Sequence, residues 1–146
     1  MIPDFDNNNT LPPGIHTATW QEFCDRYGYT KHRRELLAGL EKGMNHLREA
    51  NCSCVWIDGS FISAKHRPGD FDVCWDEDGV NMSFLKTMYP ALLDFSNERK
   101  RQKGIYRGEF FLSTELEAYK PKRTFLEFFQ QDDRERIKKG IIKIML

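Results

Sequence analysis

Cys54-Val55-Trp56-Ile57-Asp58-Gly59-Ser60, nine further residues, and then Asp70-Phe71-Asp72-Val73-Cys74-Trp75 is the stretch on which the fold turns. Its opening is a short continuous apolar run, the mark of a strand buried on both faces. Its end alternates instead. Phe71, Val73 and Trp75 face a core, while Asp70, Asp72 and Cys74 share the opposite face. Asp70 and Asp72 then lie about 7 Å apart along one strand, with both carboxylates projecting the same way. In a partly dry cleft such a pair repels, and one pKa rises unless a cation compensates; a divalent ion does so best. Taken alone, the pair reads more plainly as acids on a solvated sheet face.

The residues around the pair favour chemistry. Gly59-Ser60 stands at the end of the apolar strand, where glycine lets backbone approach a phosphate and the serine hydroxyl and following amides can donate to it. The loop Ser63-Ala64-Lys65-His66-Arg67-Pro68-Gly69 adds Lys65 and Arg67, charges that suit a triphosphate. Phosphate donors and a carboxylate pair at the ends of neighbouring strands can hold a nucleotide through magnesium and run in-line displacement at its α-phosphate.

Working outward, Thr30 caps a helix running to about Ala50, with Leu36, Leu37, Leu40, Met44 and Leu47 on one face as core. Thr19 and Glu22 form a capping-box signature for a shorter helix ending near Gly28. Residues 1–16, with Leu11-Pro12-Pro13-Gly14, read as an extended N-terminal arm, and residues 17–146 as one domain. On the other side, Glu77-Asp78-Gly79 is a turn, and 83–93 is a helix interrupted by Pro90. Ser96 caps a basic helix to about Lys103, and 108–112 is a third strand. Residues 124–130 form a short aromatic helix and 141–146 a last strand. The predicted class is α+β, a small mixed sheet flanked by helices.

The chain has 146 residues, 22 basic and 22 acidic, with 40% hydrophobic and 13% aromatic residues, enough bulky material for one folded core. Zero formal charge excludes a chain that is basic throughout. No run of about 18 apolar residues spans a membrane, and Met1-Ile2-Pro3-Asp4 does not begin a secretory signal. A cytoplasmic protein is expected. The Cys52-Ser53-Cys54 spacing does not suit a structural zinc site, so the four cysteines are expected as buried or free thiols.

Gly59-Ser60, nine residues and Asp70-Phe71-Asp72-Val73 resemble the signature of the polymerase-β-like nucleotidyltransferase superfamily, a strand ending in Gly-Ser or Gly-Gly followed by two carboxylates one residue apart on the next strand. The resemblance implies a nucleotidyltransferase-like sheet, two magnesium ions held by three carboxylates, and transfer of a nucleoside monophosphate from an NTP with release of pyrophosphate. Asp70 and Asp72 match the first two metal ligands, and Gly59 and Ser60 the phosphate-binding pair. Glu109, in Tyr106-Arg107-Gly108-Glu109-Phe110-Phe111-Leu112, is the candidate third acid. Many minimal members carry an arginine after Gly-Ser; Phe61-Ile62-Ser63-Ala64 has none, leaving that role to Lys65 or Arg67. The layout also resembles short bacterial members, several of them halves of toxin–antitoxin pairs, which implies a protein or RNA (tRNA included) as acceptor and a toxin or antitoxin as partner.

Residues 97–107 carry a net of four positive charges, either a solvated helix face or a surface for phosphates. Tyr106 reads as core, His66 as an exposed loop residue, and Phe125, Leu126, Phe128 and Phe129 as packing for the sheet or a dimer contact. The leading expectation is a magnesium-dependent nucleotidyltransferase using Asp70, Asp72 and Glu109. The alternative is the same fold without turnover, a binding module or antitoxin acting by protein contact. Metal-dependent phosphodiester hydrolysis is a third.

Overall fold

Threonine side chains open the first two helices. Thr19 Oγ1 accepts the Glu22 amide at 3.1 Å and Thr30 Oγ1 that of Arg33 at 3.0 Å, starting α1 (Trp20–Tyr27) and α2 (Lys31–Glu49) where the spacing predicts. Helix α2 buries Leu36, Leu37, Leu40, Met44 and Leu47, and Arg33 with them. Strand β2 (Cys54–Asp58) is buried at every position and pairs antiparallel with β3 (Asp72–Trp75). Beyond it, α3 (Met82–Met88) stops before Pro90, which begins a 3₁₀ turn over Pro90–Leu93.

The computed structural model describes residues 1–115, 123–132 and 137–146. Helix α4 (Ser96–Tyr106) runs three residues beyond the expected Lys103, and β4 (Glu109–Leu112) follows it. Ser96 does not cap the helix, since its hydroxyl donates to Asp94, and Asn97, Glu98 and Arg99 at positive φ make the first turn irregular. Helix α5 (Phe125–Phe129) opens on a capping box between Thr124 and Glu127. A two-stranded hairpin, β5 (Gln131–Asp132) with β6 (Ile137–Lys138), leads into β7 (Gly140–Met145).

The main sheet has the order β1-β7-β2-β3-β4, where β1 (Gly14–Thr17) is the last part of the predicted arm. That segment is extended as expected and also paired, parallel to β7, while Leu11 just before it is buried. Strands β3 and β4 are parallel, and β7 and β2 antiparallel. Among the described residues this is a mixed α/β fold of one five-stranded sheet and five helices.

The two sheet faces carry separate cores. One packs Val55, Ile57, Val73, Trp75 and Phe110 against the Leu36–Leu47 stripe of α2. The other sets Cys54, Trp56, Cys74, Phe111 and Ile141 against Phe129 of α5. Tyr106 lies in the first core, as its position predicts. Helices α2 and α4 cross so closely that a Cβ at Gly39 would run into the Tyr106 carbonyl.

Candidate metal centre

Three strands bring carboxylates to one edge of the sheet. Asp58 closes β2, Asp72 opens β3 and Glu109 opens β4, and the registers set Asp58 opposite Asp72 and Asp72 opposite Glu109. Directly opposed residues share a face and stand about 5 Å apart, so the three form a row across the sheet. Asp70 lies two residues before Asp72, just ahead of β3 rather than within it as expected, and still joins the same cluster. Asp70, Asp72 and Glu109 each offer an oxygen within 4.8 Å of the others, and all three are half-buried.

Opposed carboxylates need counter-charges, and the chain supplies them unevenly. Glu109 accepts from Arg99 Nε at 2.8 Å and pairs with Lys103 Nζ at 2.9 Å. Asp58, almost wholly buried, pairs with Lys139 Nζ at 3.1 Å. Among the described residues no hydrogen bond or ion pair reaches the carboxylates of Asp70 or Asp72. Asp72 is pushed up to about 8, first by burial and then by the charges of Asp70, Glu109 and Asp58, which Lys139 only partly offsets. Asp70 is raised too, by burial and then by Glu109, against Lys103 and Lys65.

Gly59 makes the corner beside the row. Its φ of +88° lies where a side chain is strained, and a Cβ there would stand 2.5 Å from Asp72 Oδ2. Glycine is therefore what lets the Asp72 carboxylate lie against backbone. A 3₁₀ turn follows over Ser60–Ile62, and Ser63 Oγ donates to the Ser60 carbonyl at 2.6 Å. The corner opens on a cleft of about 770 Å³, whose walls include Asp58, Gly59, Ser60, Lys65, Asp72 and Lys139. That volume falls in the range of small-molecule sites.

The loop after the corner is gripped from behind. The Arg33 guanidinium is fully buried and donates to the carbonyls of Tyr27, Phe61, Ser63 and Lys65. Tyr27 Oη donates to the Ile62 carbonyl at 3.2 Å, and a ring nitrogen of His32 lies against the Pro68 carbonyl. The N-terminal arm reaches the front, where Ala64 N–H donates to the Asn9 carbonyl at 3.2 Å and Asn8, Asn9 and Thr10 line the cleft.

The predicted site residues divide accordingly. Asp70, Asp72 and Glu109 come together, and Gly59, Ser60 and Lys65 line the cleft that Asp72 shares. Arg67 is exposed and is not one of the cleft-lining residues. His66 is exposed, as expected. Asp58, Lys139, Asn8–Thr10 and Arg33 belong to the site or its support without having been assigned a role from the sequence. Two of them carried a signal. Arg33 continues the α2 stripe three residues before Leu36, and Asp58 ends the strand that faces Asp72.

The donor set suits a hard cation. All the groups are carboxylate oxygens, and no described cation pairs directly with two of them, Asp70 and Asp72, which is what magnesium or a similar ion takes. The three acids Asp70, Asp72 and Glu109 could hold a metal. Over residues 3–145 the chain matches the Family of unknown function (DUF6932), and it belongs to that family. No curated protein and no solved structure matches it. No helix among the described residues is long and apolar enough to cross a membrane.

Proposed function

We propose that this protein is a nucleotidyltransferase of the polymerase-β-like type, moving a nucleoside monophosphate from an NTP to a hydroxyl acceptor. One observation carries the reading: Asp72 belongs both to a carboxylate cluster spanning 4.8 Å and to a nucleotide-sized cleft walled by Gly59 and Ser60. Magnesium, the two ions the resemblance implies, would neutralise the triphosphate and lower the pKa of the acceptor hydroxyl.

The chain's own residues do the rest. The Ser60 hydroxyl donates to the β- and γ-phosphates, and Lys65 balances their charge. Asp70 and Asp72 are the principal cation ligands. Glu109, already holding Arg99 and Lys103, is the weakest of the three. The acceptor oxygen forms a bond to the α-phosphorus and loses its proton to solvent, the α–β anhydride bond breaks, and pyrophosphate leaves with that electron pair.

The test uses each α-labelled NTP with magnesium and a cell extract as the source of protein and RNA acceptors. Wild type labels a discrete species, and Asp70→Ala or Asp72→Ala lowers labelling by at least about 10³-fold while the protein stays folded. Unchanged labelling by both variants refutes the reading. The double pairing of Glu109 favours a second one, a nucleotide-binding module or antitoxin without turnover. It predicts a rise in melting temperature with one Mg–NTP and no labelling by wild type.

A further inference from the structure

The acid row has a second side. A smaller cavity of about 270 Å³ is lined by His32, Leu36, Gly69, Asp70, Lys103 and Arg107. Asp72 belongs to the Gly59–Ser60 cleft and Asp70 to this cavity, so one carboxylate pair faces both openings. The two openings differ in kind. The first has the phosphate corner; the second has three basic side chains among its six lining residues, and one apolar side chain, Leu36.

The basic character continues along α4. Lys100, Lys103 and Arg107 recur at i, i+3 and i+7 on the helix and its cap, rising about 4.5 and 6 Å along the axis. These steps are of the same order as those between successive phosphates of a nucleic-acid strand. Lys100 and Arg107 are exposed, and the Arg107 pairing with Glu35 at 3.4 Å is solvent-screened, so a phosphate can replace the carboxylate. The cavity is small for a ligand site and suits a single terminal nucleoside rather than a duplex end.

We propose that this wall seats the sugar–phosphate backbone of a nucleic-acid 3′ end, with Lys100 and Arg107 holding phosphates on either side of Lys103, which stays paired with Glu109, and the terminal hydroxyl presented to Asp70 and Asp72. This rests on the nucleotidyl-transfer reading and names its acceptor as a nucleic acid rather than a protein side chain. The placement separates charges sensibly. The cations meet the phosphates, while the neutral hydroxyl, which loses its proton as it gains the nucleoside monophosphate and pyrophosphate departs, meets the acids. A protein tyrosine would call for an apolar or aromatic wall, which Leu36 alone does not provide.

The test is fluorescence anisotropy with 5′-fluorescein-labelled 12-nucleotide single strands ending in a 3′-hydroxyl, one RNA and one DNA, in EDTA without nucleotide. Wild type binds, and the tighter strand identifies the acceptor. Lys100→Glu with Arg107→Glu weakens binding about 10-fold or more at 100 mM NaCl and lowers the slope of log K against log [NaCl] by about 2. Lys86→Glu, an exposed charge reversal on α3, changes it less than about twofold. The single changes Lys100→Ala and Arg107→Ala act in the same direction, which covers a double variant that fails to fold. No strand binding by wild type overturns the proposal, as does an unchanged double variant or an equal loss with Lys86→Glu. Equal binding of a fluorescein-labelled poly-glutamate peptide also overturns it, in favour of an acidic protein partner. Because strand binding is read with neither nucleotide nor metal present, absent label transfer in the separate NTP assay counts against the enzymatic reading, and absent strand binding against this one.

Discussion

The loop between β2 and β3 is charged on both sides, and the two sides are treated in opposite ways. Behind it, the Arg33 guanidinium is sealed from water, and four backbone carbonyls accept its N–H groups. In front, Asp72 lies against Gly59 with no described donor, among three other carboxylates. A charge satisfied from within the chain fixes architecture. A charge left short of partners in a cleft costs stability and has value only to something that binds there. The comparison predicts opposite consequences when each charge is removed.

Neutralising the rear charge is expected to have the largest effect. Arg33→Met keeps the apolar stem but leaves the carbonyls of Phe61, Ser63 and Lys65 facing a group that cannot donate. A loss of roughly 3–5 kcal/mol in chemical denaturation follows. A loss below about 1 kcal/mol would mean that the loop holds itself and Arg33 is a bystander. Next comes Gly59→Ala, which places a methyl 2.5 Å from Asp72 Oδ2 at a φ of +88°. About 1–3 kcal/mol of strain is expected, with label transfer lost alongside, because the carboxylate must move to relieve it.

Neutralising the front charge should act the other way. Asp72 titrates near 8 in the fold against 3.8 in the open chain, so the fold favours its protonated form. That contribution is complete below about pH 4 and is lost as pH rises through the folded value near 8. The metal-free melting temperature should therefore fall between about pH 4 and 8, in EDTA, and magnesium should restore it at the upper end. Asp72→Asn should flatten that slope and be more stable than wild type at pH 8 by about 1–3 kcal/mol. A wild-type protein whose EDTA melting temperature is level across this range would show that Asp72 is compensated already.

Much of this arrangement was legible in the sequence because it is local. Threonine caps, the α2 stripe and the parity of 70–75 are read within a few residues, and they fix α1, α2, β3 and the side on which Asp70 and Asp72 lie. What escaped depends on pairing across distance. Gly14–Thr17 finds its partner at Gly140–Lys143, far along the chain, and nothing in four polar-to-mixed residues announces a parallel neighbour. Asp58 ends an apolar run, and only the register with Asp72 gives it a role. Arg33 occupies a core position of α2, but a charge on a buried stripe reads as a surface residue until four carbonyls gather round it. Glu109 was reached by likeness to a family pattern, and the parallel pairing of β3 with β4 sets it opposite Asp72.

Glu109 also gives the comparison its finest test, since it lies within reach of the cation site and yet is partnered like Arg33. Its two oxygens meet Arg99 and Lys103 at 2.8 and 2.9 Å, whereas among the described residues no ion pair reaches Asp70. If partnered charges serve architecture, Asp70→Asn should weaken manganese binding, followed by electron paramagnetic resonance, about 10-fold or more, and Glu109→Gln less than about threefold. Glu109→Gln should instead cost roughly 1 kcal/mol of stability, because Arg99 and Lys103 are left facing each other without their shared anion. Equal weakening by the two variants would place Glu109 among the true ligands, with Arg99 and Lys103 as cations displaced when the metal enters.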